Sequence, residues 1–131
     1  MDGWNQKYML WHTDFERYTN NFVARMDHYL SPEDIVMVKN EIAKTPPWIG
    51  FALHSDWVHT DAASLLPEVT VPVIIFTGKS QGHGLEMGRH YKQLVKTYCE
   101  LHEYESGGHM LFYVRHEMFN RQVCEFLTKI S

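Results

Sequence analysis

The sequence predicts an α/β protein in which a helical segment is followed by a β-α-β-α run. Three observations carry this. Trp4, Tyr8, Trp11, Phe15, Tyr18, Phe22, Met26 and Tyr29 recur at spacings of three and four, the period that puts side chains on one face of a helix. Val71-Pro72-Val73-Ile74-Ile75-Phe76-Thr77 is a continuous apolar, β-branched run, the mark of a strand covered on both faces in a parallel sheet. After it, helical and strand patterns alternate to the end of the chain.

The aromatic stripe predicts one long first helix, with polar residues on its outer side. Ser31-Pro32-Glu33-Asp34 opens a second: Ser31 can cap, Pro32 suits the first helical position and Asp34 approximates the acid of a capping box. Ile35, Val38 and Ile42 form its inner face, and Pro46-Pro47 ends it. A third, shorter helix is expected from about Trp48 through Trp57. Asp61 to Pro67 reads as a short helical turn leading into the strand at Val71–Thr77. A glycine-containing loop, Gly78 to Gly84, precedes a helix over Leu85–Tyr98 with Met87, Tyr91, Leu94 and Val95 on one side. Glu100 to Tyr104 reads as a second short strand. Ser106-Gly107-Gly108-His109 is a turn, and Arg115–Ile130 a closing helix with Phe119, Val123, Phe126, Leu127 and Ile130 inward.

With 131 residues, 44% apolar and 21% charged, the chain has the composition of a compact soluble protein and not of a disordered segment. No apolar run approaches the length of a membrane span, so no membrane is expected as a partner. The net charge of −4 and the absence of a basic stripe argue against nucleic acid. The opening MDGWNQKYML has no basic stretch followed by an apolar core, so no signal peptide is read there. Cys99 and Cys124 form no metal or redox motif, which fits reduced thiols in a cytoplasmic protein. The nine histidines are scattered without an H-x-x-x-H or H-E-x-x-H pair, and Gly82-His83-Gly84 lacks dinucleotide-binding spacing. Neither metal nor cofactor is expected.

Two stretches, DAASLLPEVTVPVIIFTGKSQGHG and ELHEYESGGHMLFYVRHEMFNRQVCEFL, resemble in order and spacing the closing part of an α/β-hydrolase. The resemblance covers roughly residues 61–130. Residues 1–60 resemble the helical cap that such enzymes insert just before this point. The implied organisation is a cap-like segment, 1–60, and a C-terminal hydrolase-like lobe, 61–131: an incomplete α/β-hydrolase lobe.

The resemblance implies roles. His109 matches the general base that takes a proton from a serine or a water. Its neighbours Met110, Leu111 and Phe112 are expected to shield its ring from water. The triad acid of the family stands three residues past the strand-end glycine, where this chain has Gln81, which can orient an imidazole but not balance its charge. Some branches carry the acid before the cap. Asp56 and Asp61 are the local substitutes, and each reads more simply as a surface or capping residue. The nucleophile of the family sits on a strained strand-to-helix turn, G-x-S-x-G. The chain is read as lacking it: none of Ser31, Ser55, Ser64, Ser80, Ser106 and Ser131 is taken as the elbow serine. The oxyanion-hole loop and the first six strands are also taken to be absent.

The expected function follows. The chain is the C-terminal portion of a hydrolase of ester, amide or carbon–carbon bonds, supplying a catalytic histidine and inactive alone. The alternative is a non-catalytic, dimeric interaction or apolar-ligand-binding module on the same fold. The expected partners are a second copy of the chain or a complementary N-terminal hydrolase half, together with an apolar small molecule.

Overall fold

The computed structural model describes residues 10–11, 13–26, 30–79, 84–105 and 108–131, with the backbone alone at 25 and 26. The chain divides into two compact units, the first comprising Met1–Met26 and Leu30–Thr60 and the second built on Asp61–Ser131.

The first unit is helical: α1 Phe15–Met26, α2 Pro32–Ala43 and α3 Pro47–His59. The expected single long helix is interrupted at Asp14, with helical residues on both sides. The cause is local. Asp14 Oδ1 accepts the Arg17 backbone N–H at 2.9 Å, so this carboxylate caps α1 and competes with continuation of the helix. Trp4, Tyr8 and Tyr29 of the aromatic stripe lie outside the described residues. Trp11, Phe15, Tyr18 and Phe22 of the stripe pack on one another in sequence. Trp11 lies 4.2 Å from Tyr18 and 5.3 Å from His54, ring centre to ring centre. The Trp11 indole N–H donates to the Pro47 carbonyl at 2.8 Å. Its ring passes so close to Gly50 that a Cβ there would stand 2.6 Å from Trp11 Cζ2. Val23, Leu30 and Val38 form the buried centre of this unit.

The capping box at Ser31 is formed in full. The Ser31 hydroxyl accepts the Asp34 N–H at 3.1 Å, and the Asp34 carboxylate accepts the Ser31 N–H at 3.3 Å. Helix α3 runs two residues past its expected end and is apolar around most of its circumference. Trp48, Leu53 and Trp57 stay 71%, 67% and 66% exposed.

In the second unit a 3-10 helix, Ala62–Glu68, leads into β1 Val73–Gly78, α4 Gly84–Leu94, β2 Cys99–Tyr104, a short α5 Leu111–Val114 and α6 His116–Ile130. The order is the expected β-α-β-α. The strands are parallel, with Val73 level with Cys99 and Gly78 with Tyr104. Val73 N–H donates to Tyr98 O and Lys79 N–H to Tyr104 O, both at 2.9 Å, closing the ladder at its two ends. In a parallel ladder alternate residues of a strand turn their N–H and C=O to the same side. Ile74, Phe76 and Gly78 therefore direct theirs away from β2. Among the described residues β1 has one sheet neighbour.

Both faces of the two-stranded sheet carry a helix. On one, Gly88 of α4 meets Thr77 and Leu101: a Cβ at 88 would lie 2.8 Å from Thr77 Cγ2 and 3.3 Å from Leu101 Cδ1. The Thr77 hydroxyl donates to the Gly84 carbonyl at 2.6 Å. On the other, Phe119 of α6 packs on Phe76 at 4.4 Å and Phe126 on Tyr98 at 6.0 Å. Full burial of the strand, expected from its composition, is reached only at Thr77; Val73 to Phe76 are half-buried. Two strands are too narrow to cover a strand's flank. Helix α4 ends four residues before the expected Tyr98, because Tyr98 already belongs to the ladder that starts β2. The expected closing helix is found with its start at His116, one residue late, because Arg115, with φ of −118° and ψ of 34°, lies outside the helical region and separates α5 from α6.

Candidate active site

Parallel strands release their chains at the same end. Gly78 and Tyr104 stand side by side, so the loop after β1 and the loop after β2 leave the sheet together at its carboxyl end. Crevices at that end are where open α/β sheets bind ligands. An exposed ion pair, Lys79 Nζ to Glu105 Oε2 at 3.4 Å, joins the two loops where they begin.

His109 lies on the second of these loops, in a turn five residues past the end of β2. What fixes it is the short helix that follows. Leu111 is buried, its N–H donating to Gly108 O at 3.3 Å, while Tyr113 and Val114 N–H both donate to Met110 O at 2.9 Å. Leu111 thus anchors the turn and His109 is presented at its outer side. The expected shielding by Met110–Phe112 is not found. His109 is exposed, since Leu111 turns inward and Phe112 outward.

Gln81, expected in the acid position, lies outside the described residues, as does Gly107. Their flanks are placed: Lys79 and Gly84 bound the first loop, beside the strand end that leads to His109. Asp61 is exposed and takes part through its backbone, its carbonyl accepting the Ser64 hydroxyl at 2.7 Å. Asp56 is also exposed, with its carbonyl accepting Thr60 Oγ1 at 2.9 Å. Neither carboxylate makes an ion pair among the described residues, which fits the simpler reading given to both.

One correction concerns the sequence itself. Gly78-Lys79-Ser80-Gln81-Gly82 satisfies G-x-S-x-G, and it stands after β1 and before α4, the strand–turn–helix order that the motif needs. The expectation that the pattern is missing was therefore wrong. The resemblance gives this loop to the acid, at Gln81, and the same five residues hold the serine pattern. The fit is incomplete. An elbow turns sharply from strand to helix, whereas five residues, 79–83, separate β1 from α4 here. Ser80 itself lies outside the described residues.

A second feature escaped the sequence reading. Tyr98, just before β2, alternates with Glu100 and His102 within it, a spacing that puts them on one side of the strand. They converge with Lys129 of α6. Glu100 accepts hydrogen bonds from the Tyr98 hydroxyl and from Lys129 Nζ at 2.9 Å, and its other oxygen meets His102 Nε2 at 3.2 Å. These bonds, led by that from Tyr98, hold the Glu100 carboxyl at about 2, well below the usual carboxylate range. His102 stacks on Phe76 at 5.4 Å. The cluster ties the last helix to the sheet. Nearby, the Tyr104 hydroxyl donates to Gln122, and burial raises the pKa of that phenol.

Among the described residues no group of three or more histidine, cysteine or carboxylate side chains is placed to hold a metal ion. No helix of the described residues is long and apolar enough to cross a membrane. No family model and no curated protein matches the sequence. Among solved structures the chain is similar to a hydrolase from Oleispira antarctica, with a TM-score of 0.83 and 17% sequence identity, over 94% of this chain and 46% of that one. At that identity the likeness is one of fold, and the chain spans about half the length of the matched protein. By fold, then, this chain resembles part of an α/β-hydrolase: a helical segment followed by β-α-β-α with two parallel strands.

Proposed function

We propose that this chain is the histidine-bearing portion of an α/β-hydrolase, with residues 1–60 as its cap, and that it becomes catalytic when a second polypeptide segment supplies the oxyanion donors and the nucleophile. His109 is the general base of this reading. The observation that carries it is the sheet: among the described residues β1 has a neighbour on one side only, and its other edge presents the backbone groups of Ile74, Phe76 and Gly78. A strand of this composition is a central strand, and a central strand needs two neighbours. The exposed apolar residues agree. Trp48, Leu53 and Trp57 in the first unit, and Val71, Met87 and Phe112 in the second, are more than a self-contained chain leaves in water.

The test is hydrolysis of a short activated ester by the chain alone and by the chain combined with an N-terminal hydrolase half. The chain alone should do no better than free imidazole. The combination should turn over, and His109→Ala should lower its rate about a thousandfold or more, the scale of a lost triad member. Failure of His109→Ala to lower that rate would sink the assignment.

The G-x-S-x-G at 78–82 favours a second reading, in which this chain brings its own nucleophile, Ser80, to the loop beside that of His109. The same assay separates the two. Turnover by the chain alone that is abolished by Ser80→Ala and by His109→Ala supports the second reading against the first.

A further inference from the structure

We infer that the helical unit carries a binding site for a small amphipathic carboxylate, a molecule with one anionic head and a short apolar tail. The site lies wholly within residues 15–47 and uses neither His109 nor the sheet, so it stands apart from the hydrolase reading.

Helices α1 and α2 pack together and are separated by five residues, 27–31. Counting outward from that connection sets residues 19 and 20 level with 39 and 40, and residues 15 and 16 level with 43 and 44. Between these helices and the start of α3 is an open cavity of about 570 Å³, lined from both layers. That volume lies within the range of small-molecule sites, about 300–1,000 Å³.

The layer nearer the connection is polar, with Thr19, Asn20, Lys39 and Asn40. Thr19 is the telling residue. It is only 7% exposed, yet its hydroxyl makes no hydrogen bond in the described structure. Helical threonines commonly bond back to the carbonyl four residues earlier, as Thr60 and Thr128 do here. Thr19 does not. A buried hydroxyl left without a partner is uncommon, and one that lines a cavity is explained by a ligand atom that accepts from it. Lys39 beside it has no ion pair among the described residues, in contrast to Lys44, which is held by Glu41 at 2.5 Å. With the side-chain amides of Asn20 and Asn40, the layer offers an ammonium, a hydroxyl and two amide donors. That set matches a carboxylate, whose oxygens only accept.

The second layer is about 6 Å along the helix axis, four residues at 1.5 Å each. Its surface is largely apolar: Phe15, Ala43 and the Pro46-Pro47 pair that begins α3. A tail of several carbons extended from the polar layer lies against these side chains. Glu16, at the edge of this layer, repels a second anionic group and limits the ligand to one charged end.

Isothermal titration of the full chain with octanoate, 1-octanol and octylammonium tests the site. Octanoate should bind with a dissociation constant of millimolar or below, at least tenfold more tightly than the other two. Lys39→Met should weaken it about tenfold. Thr19→Val, which keeps the shape and removes the hydroxyl, should weaken it about threefold or more while the chain stays folded. Equal affinity for octanoate and octanol, indifference to both substitutions, or no octanoate binding at ten millimolar would overturn the proposal.

Discussion

The close approach of Gly88 to Thr77 yields a double-mutant prediction. Gly88 is interior to α4, so Gly88→Ala should gain about 0.5–1 kcal/mol from backbone entropy alone. The new Cβ, however, would stand 2.8 Å from Thr77 Cγ2. Thr77 cannot swing away: it is β-branched, 8% exposed, and tied through its hydroxyl to Gly84 O at 2.6 Å. Relieving such overpacking costs about 1–3 kcal/mol, so the net effect is a destabilisation of about 1 kcal/mol. Thr77→Ser deletes Cγ2 and keeps the hydroxyl, at a cost of about 1 kcal/mol for the lost methyl. In that background the nearest atoms to the new Cβ are position 77 Cβ at 3.1 Å and Leu101 Cδ1 at 3.3 Å, contacts a small shift relieves. Gly88→Ala should then be neutral or stabilising, which gives a coupling of about 1–2 kcal/mol. The assay must read the second unit. All four tryptophans lie in residues 1–57, so tryptophan fluorescence reports the first unit; amide hydrogen exchange in β1 and β2 is the measurement. Additivity of the two substitutions within about 0.4 kcal/mol would refute the argument.

Three further outcomes are expected. The Glu100 carboxyl sits at about 2 in the folded chain, below its unfolded value, so the stability it contributes is present above pH 4.5 and is lost as pH falls toward 2. Melting temperature followed from pH 7 to pH 2 should therefore fall less steeply for Glu100→Gln, and parallel curves would show that the cluster does not act this way. Ser31→Ala removes the reciprocal cap of α2 and should cost the first unit about 1 kcal/mol in urea, read by tryptophan fluorescence; no change would mean the cap is dispensable. Sedimentation equilibrium at micromolar concentration should show self-association that Ile74→Pro reduces, because the lost N–H faces away from β2 and the remaining ladder is spared. A clean 15.5 kDa species from the unsubstituted chain would refute the open edge as an association surface.

What the sequence made legible was local or periodic. The Ser31 cap is a matter of four adjacent residues, and β1 announces itself by five consecutive strand-forming side chains, Val73 to Thr77. The break at Asp14 was legible too, as an acidic residue ahead of Phe-Glu-Arg, but the aromatic period running through it masked it. The end of α4 was not, because nothing in Val95–Tyr98 shows that Tyr98 O is needed by Val73. Nor was the contact of Gly88 with Thr77, which depends on how a helix lies over a sheet. Ser80 is a different case: its pattern is plain in the sequence, but it shares its loop with Gln81, the position that the resemblance gives to the acid. The turn that holds His109 was legible because two glycines before a histidine are a loop signal, yet the exposure of His109 depends on Leu111, which turns toward the core.

The free edge of β1 has two possible occupants, and geometry makes them exclusive. A strand added in parallel, as a complementary hydrolase half would add it, ends where β1 and β2 end. Whatever turn follows it reaches the same end of the sheet as the loops at 79–83 and 105–110, so a group on that turn can approach His109. A second copy related by a two-fold axis pairs β1 with β1 in the antiparallel sense. Its β1 then runs the other way, and its His109 loop leaves the opposite end, about 20 Å away for six residues at 3.3 Å each. Such a dimer satisfies the N–H and C=O groups of Ile74, Phe76 and Gly78 but brings no new group to His109. Self-association and completion of an active site thus compete for one strand edge, and under the proposed function a complementary half that confers activity must also dissolve the dimer.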